Sequence, residues 1–113
     1  MPYEYPGRDI EIKTCTDEFT CLCPWSGLPD FAGLEITYIP DKKVIELKSL
    51  KYYIHSYRQA GIVHESAVNR IIADLVSAVR PKYMCVEMNF NVRGGLETTV
   101  KAEYGRRENK KNV

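Results

Sequence analysis

The sequence has little of what marks a secreted, membrane-bound or polyanion-binding protein. Its formal net charge is only +1 at pH 7, so no strong overall field attracts nucleic acid or a membrane surface. No apolar run approaches the length of a membrane span, and residues 1–6 lack the basic-then-apolar pattern of a secretory signal. We therefore expect a soluble cytoplasmic protein without a direct nucleic-acid or membrane partner.

Cysteine is also scarce. Four cysteines would permit two disulfides, but without a secretion signal, and with enough apolar residues to fold unaided, reduced thiols are the better interpretation. Cys21 and Cys23 form a Cys-x-Cys pair that lacks the second Cys or His pair of a typical zinc site. The sequence therefore predicts no metal site.

The length of 113 residues, with 44% hydrophobic and 27% charged residues, indicates a single domain over residues 1–113. We expect an ordered core over about 10–105 and flexible ends, because residues 1–9 have no periodicity and the last stretch is polar. A domain this small has little interior for an enclosed site. Oligomerisation would supply the missing walls.

Alternating apolar residues predict the strands. Residues 31–39 alternate with period two until Pro40 ends the pattern, and the apolar positions are Ala32, Leu34, Ile36 and Tyr38. Three further strands are predicted over 12–22, 83–92 and 96–104. The last two are joined across Arg93-Gly94-Gly95, a connection typical of a hairpin.

Apolar residues at helical spacing predict two helices between the second and third strands. The first contains Leu50, Tyr53, Ile54 and Tyr57, with Gly61 as its stop. The second covers about 65–79 and has on one face Val68, Ile71, Ile72, Leu75 and Val79. The order β-β-α-α-β-β indicates an α+β fold, in which two helices cover one face of a four-stranded antiparallel sheet.

A stiff connection between the first two strands carries the most reactive residue types. It includes Cys23, two prolines and, seven residues after the thiol, Asp30. A thiol is nucleophilic as thiolate, and an acid folded back across the loop would serve as its proton partner. The alternative is structural, with Cys23 as a small buried residue and Asp30 closing a turn.

Three other segments suit ligand binding. Glu46 to Lys51 places two lysines where a helix begins, which suits phosphate, although a solvated first turn capped by Ser49 is the alternative. His64-Glu65 precedes the second helix, where a carboxylate can bind a guanine-like edge or simply favour the helix dipole. Arg93-Gly94-Gly95 offers a guanidinium to a phosphate or forms only a turn.

Taken together, these segments resemble the QueF family, the NADPH-dependent 7-cyano-7-deazaguanine reductases of queuosine biosynthesis, in its short single-module form. The resemblance spans roughly residues 17–104. It rests on Phe-Thr-x-Leu-Cys-Pro-x-x-Gly-x-Pro-Asp-Phe at 19–31 and on the family's cofactor signature, Glu-Leu-Lys-Ser-Leu-Lys, at 46–51. It implies the tunnelling fold, whose subunits assemble into ring-shaped barrels, here two stacked rings of five, with active sites between neighbouring subunits.

The resemblance also implies residue roles. Cys23 attacks the nitrile carbon to form a covalent thioimide, and Asp30 activates the thiol and supplies a proton. The substrate base is held by Glu65, with contributions from His64, Glu46, Leu47 and Ser49. The NADPH cofactor is held by Lys48, Lys51, Arg93 and Gly94. Because each NADPH delivers two electrons and the nitrile needs four, two NADPH are consumed for each nitrile.

Two other functions remain open from the sequence. The QueF-like amidinotransferase of archaea resembles this family in thioimide formation, but it acts on a base within tRNA and lacks the NADPH signature. A purine-binding or ring-forming protein without catalysis would bind the base and form no covalent adduct. The role of Cys21, two residues before the nucleophile, is not decided by the sequence.

Overall fold

Four strands of 10 or 11 residues form one antiparallel sheet, and two helices cover one of its faces. The structure is a computed structural model that describes residues 1–106. Along the chain its elements are β1 (Ile12–Leu22), β2 (Pro29–Ile39), α1 (Leu47–His55), α2 (His64–Val79), β3 (Tyr83–Arg93) and β4 (Leu96–Gly105). The strands lie in the order β1-β2-β3-β4, which confirms the predicted α+β architecture. Residues 107–113, part of the predicted loose end, lie outside the described residues.

The core lies between the sheet and α2. All four alternating residues of β2, from Ala32 to Tyr38, are buried, and so is the predicted stripe of α2. Ile71, at the centre of that stripe, is fully buried against the sheet. Burial of one such side chain stabilises the fold by about 1.5–3 kcal/mol, so the periodicity that predicted these elements also holds them together.

Two strands each contain one extra residue. In β1, Thr16 pairs with Leu34 and Phe19 with Ala32, so three steps on β1 match two on β2. In β3, Phe90 pairs with Thr98 while Arg93 pairs with Leu96, which is again three steps against two. Such bulges shift the alternation of side chains by one residue. Side chains beyond each bulge therefore lie on the face opposite to the one that strict alternation predicts.

The prediction that Gly61 ends the first helix is wrong. α1 ends at His55, and a short 3-10 turn over Ser56–Gln59 follows it. Tyr57 keeps the helical spacing because this turn still directs its ring into the core. Gly61 instead forms a parallel bridge with Leu22 at the end of β1, which ties the α1–α2 connection to the loop that carries Cys23.

The chain start and the sheet edges complete the fold. The Tyr3 N–H donates to the Lys42 carbonyl at 2.9 Å, and the Val44 N–H donates to the Met1 carbonyl at 2.7 Å. β1 and β4 form the two edges of the sheet, and each has one side without a strand partner among the described residues. No helix within residues 1–106 is long and apolar enough to cross a membrane.

Candidate active site

A short loop between β1 and β2 positions Cys23. The Cys23 N–H donates to the Leu28 carbonyl and the Gly27 N–H to the Cys23 carbonyl, both at 2.8 Å. Gly27 adopts φ +73°, a left-handed conformation that suits glycine. Trp25, in the middle of this loop, is 83% exposed. The loop therefore carries a partly buried thiol two residues before an exposed indole.

The surroundings of Cys23 favour its thiolate. Hydrogen bonds from the Ser26 hydroxyl, then from the backbone N–H groups of Ser26 and Trp25, lower the pKa of Cys23. A lower pKa leaves more thiolate at neutral pH, which is the form that attacks a carbon electrophile. This agrees with the role predicted for Cys23, which stays a prediction.

Cys21 is a different kind of thiol. The β1 bulge directs it into the core, where it is fully buried and its Sγ lies 3.9 Å from the Ile62 carbonyl oxygen. Burial raises the pKa of Cys21 to about 11, with a further contribution from the Asp30 charge. Cys21 is therefore a buried thiol whose protonated form is favoured, and it is not an exposed thiolate beside Cys23.

Asp30 is a buried acid with a partner on each carboxylate oxygen. Its side chain is 8% exposed. His64 Nε2 lies 3.3 Å from Oδ2, and Arg93 Nη1 donates to Oδ1. We call Asp30, His64 and Arg93 the acid cluster. In the register of the sheet, Asp30 on β2 lies opposite Cys21 on β1, and Cys23 follows Cys21 by two residues. The acid cluster and the Cys23 thiol therefore lie at the same end of the sheet.

Phe90 supports the histidine of this cluster. The rings of His64 and Phe90 stack with centroids 3.6 Å apart and planes 6° apart. His64 is the first residue of α2, and Phe90 lies on β3 directly before the bulge. The imidazole is held from two sides, by a ring face and by a carboxylate, so its orientation is fixed.

The acid cluster lines a small cavity of about 180 Å³. Its other walls are formed by Phe31, Phe90, Asn91, Leu96 and Thr98. Glu65 is exposed in the first turn of α2, next to His64. Gly94, with φ +59°, lies in the turn directly after Arg93. The structure thus brings together at one end of the sheet Cys23, Asp30, His64, Glu65, Arg93 and Gly94.

The second group of predicted residues begins α1. Glu46, and not Ser49, is the helix N-cap, so the alternative with Ser49 in that position is wrong. The Glu46 carboxylate accepts from the N–H groups of Lys48 and Ser49, both at 3.0 Å, and from the Ser49 hydroxyl at 2.7 Å. These hydrogen bonds, the Ser49 hydroxyl first, lower the pKa of Glu46. Glu46 and Ser49 therefore already bind each other in this structure.

The lysines of this turn line grooves that are separate from the cavity of the acid cluster. Lys48 and Lys51 are exposed and form no ion pair within residues 1–106. With Leu47, Tyr52 and His55 they line an open groove of about 720 Å³. A second groove of about 530 Å³ lies between α1 and β1 and includes Leu47 and Lys51. Neither groove shares a lining residue with the cavity at Asp30.

Two residues of the site were not predicted. Ser26, three residues after Cys23, lowers the pKa of that thiol through its hydroxyl. The sequence could have indicated this role, because a serine in a turn rich in proline and glycine often forms local hydrogen bonds. Phe90 looked like any other apolar strand residue, and nothing in the sequence indicates its stacking on His64. No cluster of three or more metal-binding side chains occurs in the part of the chain that the structure describes.

The geometry defines a class of protein. A β-β-α-α-β-β chain with one antiparallel sheet and both helices on one face has the architecture of the tunnelling fold, and here a thiol of lowered pKa and a buried acid lie at one end of the sheet. A family model described as QueF-like protein matches residues 29–109, and the chain belongs to that family.

Known relatives sharpen this assignment. The NADPH-dependent 7-cyano-7-deazaguanine reductase of Caldicellulosiruptor bescii is 54% identical over 104 residues, which cover 92% of this chain and 79% of that protein. The protein of the same name from Halorhodospira halophila is 54% identical over 99 residues, 88% of this chain and 84% of that protein. A crystal structure of the archaeosine synthase QueF-Like in the apo form superimposes with TM-score 0.75 at 28% identity, covering 88% of this chain and 95% of that one.

Proposed function

We propose that this chain is an NADPH-dependent reductase that converts 7-cyano-7-deazaguanine to 7-aminomethyl-7-deazaguanine through a thioimide on Cys23. Several relatives at 49–54% identity carry the name of that activity. The observation in the structure that carries the proposal is a thiol of lowered pKa at the same end of the sheet as a buried acid. The proposal includes a cytoplasmic location and a role in queuosine biosynthesis.

The first step needs only groups of this chain and the nitrile. The Cys23 sulfur bonds to the nitrile carbon, and the thiol proton passes to Asp30 and from there to the nitrile nitrogen. Atoms balance, because the thioimide is the sum of thiol and nitrile. Glu65, exposed at the start of α2, accepts hydrogen bonds from the pyrimidine edge of the base.

The residues of the α1 N-terminal turn fit the cofactor. Lys48 and Lys51, which have no ion-pair partner among residues 1–106, line the groove beside exposed Tyr52, and this combination of cations and an aromatic face suits a dinucleotide with several phosphates. When bound, NADPH supplies hydride, two electrons at a time, so two molecules serve each nitrile in succession. Meanwhile the covalent bond to Cys23 keeps the half-reduced substrate in place.

A ring of copies would complete the site. The acid cluster lines one cavity, at the end of the sheet that also carries Cys23, whereas Lys48 and Lys51 lie at grooves that share none of its lining residues. The cavity is bordered by Leu96 and Thr98 of the edge strand β4, and one groove lies beside the other edge strand, β1. If β4 of one copy pairs with β1 of the next copy, the cavity of the first copy comes close to the groove of the second. We propose a decamer of two five-membered rings, and native mass spectrometry that finds a monomer or dimer would contradict it.

The activity is tested by NADPH oxidation at 340 nm with 7-cyano-7-deazaguanine, in the native chain and in Cys23→Ala. We expect two NADPH for each nitrile in the native chain and none in the variant. Cys85→Ala is the matched control, because Cys85 is a partly buried thiol on the central strand β3 that lines none of the cavity and grooves described above, and it is expected to be dispensable. Absence of NADPH oxidation in the native chain would overturn the proposal.

Intact mass spectrometry separates this function from the others. A mass increase on Cys23 with the nitrile base alone is expected for a reductase. An adduct without subsequent NADPH oxidation would favour an amidinotransferase related to the archaeosine synthase that shares this fold. Binding of the base without an adduct would favour a non-catalytic purine-binding protein.

A further inference from the structure

The Arg93 side chain binds the end of β2 at two consecutive residues. Its Nη1 donates to Asp30 Oδ1 and also to the Pro29 carbonyl oxygen at 3.1 Å. The other carboxylate oxygen of Asp30 faces His64. With both oxygens engaged, the Asp30 carboxylate has one orientation. Because Arg93 also binds the Pro29 carbonyl, it fixes this carboxylate relative to the backbone of β2.

The β3 bulge makes this contact possible. Phe90 lies on the helix-covered face of the sheet, and strict alternation would place Arg93 on the opposite face. Because β3 has one extra residue between them, Arg93 pairs with Leu96 and lies on the same face as Phe90 and Asp30. Gly94 and Gly95 then turn the chain with φ +59° and +82°. The guanidinium is thus directed at Asp30 by the backbone.

Differences in exposure support a role in the chemistry of Asp30. The Asp30 side chain is 8% exposed, the His64 side chain 27% and the Arg93 side chain 45%. A buried carboxylate is costly unless it is paired, and truncating one partner leaves the charge insufficiently compensated. Arg93 therefore lies between the acid and solvent and is its charged partner.

We propose that Arg93 is a positioning residue for Asp30 in the formation of the covalent adduct, a step that uses no cofactor. This rests on the proposed function and goes beyond the expectation that Arg93 binds cofactor phosphates. That expectation predicts a defect only in the steps that consume NADPH. Positioning of Asp30 predicts a defect already when the nitrile base is added alone.

The test measures the rate of adduct formation on Cys23 by time-resolved intact mass spectrometry, with 7-cyano-7-deazaguanine and without NADPH. We expect Arg93→Ala to slow it by roughly tenfold to hundredfold, as for a misplaced proton-transfer group. Arg93→Lys should recover part of the rate because it restores the charge. Arg8→Ala, which removes an exposed arginine of the N-terminal segment, is the matched control and should react like the native chain.

Two further readouts exclude a merely structural role. Alkylation of Cys23 by iodoacetamide should stay near the native rate in Arg93→Ala, because hydrogen bonds from Ser26 and Trp25 are the main causes of the lowered pKa of this thiol and the Asp30 charge is only a minor, opposing one. In the Asp30→Asn background, Arg93→Ala should add no further loss, since Arg93 acts through Asp30. If Arg93→Ala fails to fold, as judged by circular dichroism, Arg93→Gln takes its place in both comparisons.

The outcomes are distinguishable. A native adduct rate in Arg93→Ala, with NADPH oxidation reduced, would restrict Arg93 to the cofactor and overturn the inference alone. Independent losses from Asp30→Asn and Arg93→Ala, or equal slowing of alkylation and adduct formation, would also overturn it. Absence of any adduct in the native chain would overturn the proposed mechanism and this inference together.

Discussion

The acid cluster and the N-terminal turn of α1 are built in opposite ways. Asp30 is buried, and both of its oxygens are bound by side chains of the same chain. Lys48 and Lys51 are exposed, and within residues 1–106 they have no ion-pair partner. In the proposed mechanism, this difference means that one chain prearranges the proton transfer of adduct formation, whereas the cofactor half of the site would be completed by the ligand and a neighbouring copy.

The largest effect that separates the two regions is expected from Lys51→Ala. Loss of one phosphate-binding cation should lower kcat/KM for NADPH by roughly tenfold to hundredfold, while adduct formation without NADPH continues. Steady-state kinetics and intact mass spectrometry measure the two steps. Lys42→Ala, in the exposed loop before α1, is the control. A parallel loss of adduct formation would contradict the separation.

Mixed rings test whether the two regions of one site come from different copies. Cys23→Ala and Lys51→Ala chains, each of low activity alone, should regain activity when unfolded and refolded together. The reason is that some interfaces then combine an intact Cys23 from one copy with an intact Lys51 from its neighbour. Activity no higher than the average of the separate variants would place both residues in one copy.

A smaller effect is expected from Ser26→Ala. Because the Ser26 hydroxyl is the leading cause of the lowered pKa of Cys23, its removal raises that pKa. Less thiolate is then present at neutral pH, and the pH profile of Cys23 alkylation moves to higher pH. Peptide mapping after iodoacetamide treatment measures this, with Ser77→Ala as the exposed serine control. An unchanged profile would assign the low pKa to the backbone donors alone.

The smallest effect concerns the connection between the two regions. The Tyr53 hydroxyl on α1 donates to Asp74 of α2 at 2.6 Å and also contacts the Tyr57 hydroxyl at 2.8 Å. Tyr53→Phe should lower the free energy of unfolding by about 1–2 kcal/mol. NADPH oxidation should change little, because no reacting group is touched. Urea unfolding measures the first effect, and a large loss of activity would show that the α1–α2 contact positions the cofactor turn.

Sequence periodicity predicted the elements well and the strand faces less well. Ala32 to Tyr38 and the stripe of α2 were recognised because burial imposes a period of two or 3.6 on the sequence. The bulges in β1 and β3 were not predicted, because a strand with one inserted residue has nearly the same mixture of polar and apolar residues as a strand without it. As a result the sequence did not reveal that Cys21 is buried or that Arg93 contacts Asp30.

The site was predicted as residues and not as contacts. Cys23, Asp30 and His64 were found through short motifs, which carry residue types but not distances. Whether the Glu46 carboxylate caps α1 or is free to bind a ligand depends on the orientation of its side chain, which the sequence does not give. In the structure this carboxylate accepts hydrogen bonds from the start of α1. Likewise, the predicted residues of α1 line a different groove from the cavity at Asp30, and this separation is visible only when α1 is placed against the sheet.

Trp25 gives the chain an intrinsic optical probe. It is the single tryptophan of the sequence, lies two residues after Cys23 and is 83% exposed. An indole in water emits at longer wavelength than one covered by a base or a neighbouring subunit. The proposed ring assembly and the proposed adduct formation can therefore be tested separately in real time, by the emission of this one residue in dilution and in mixing experiments, without any attached label.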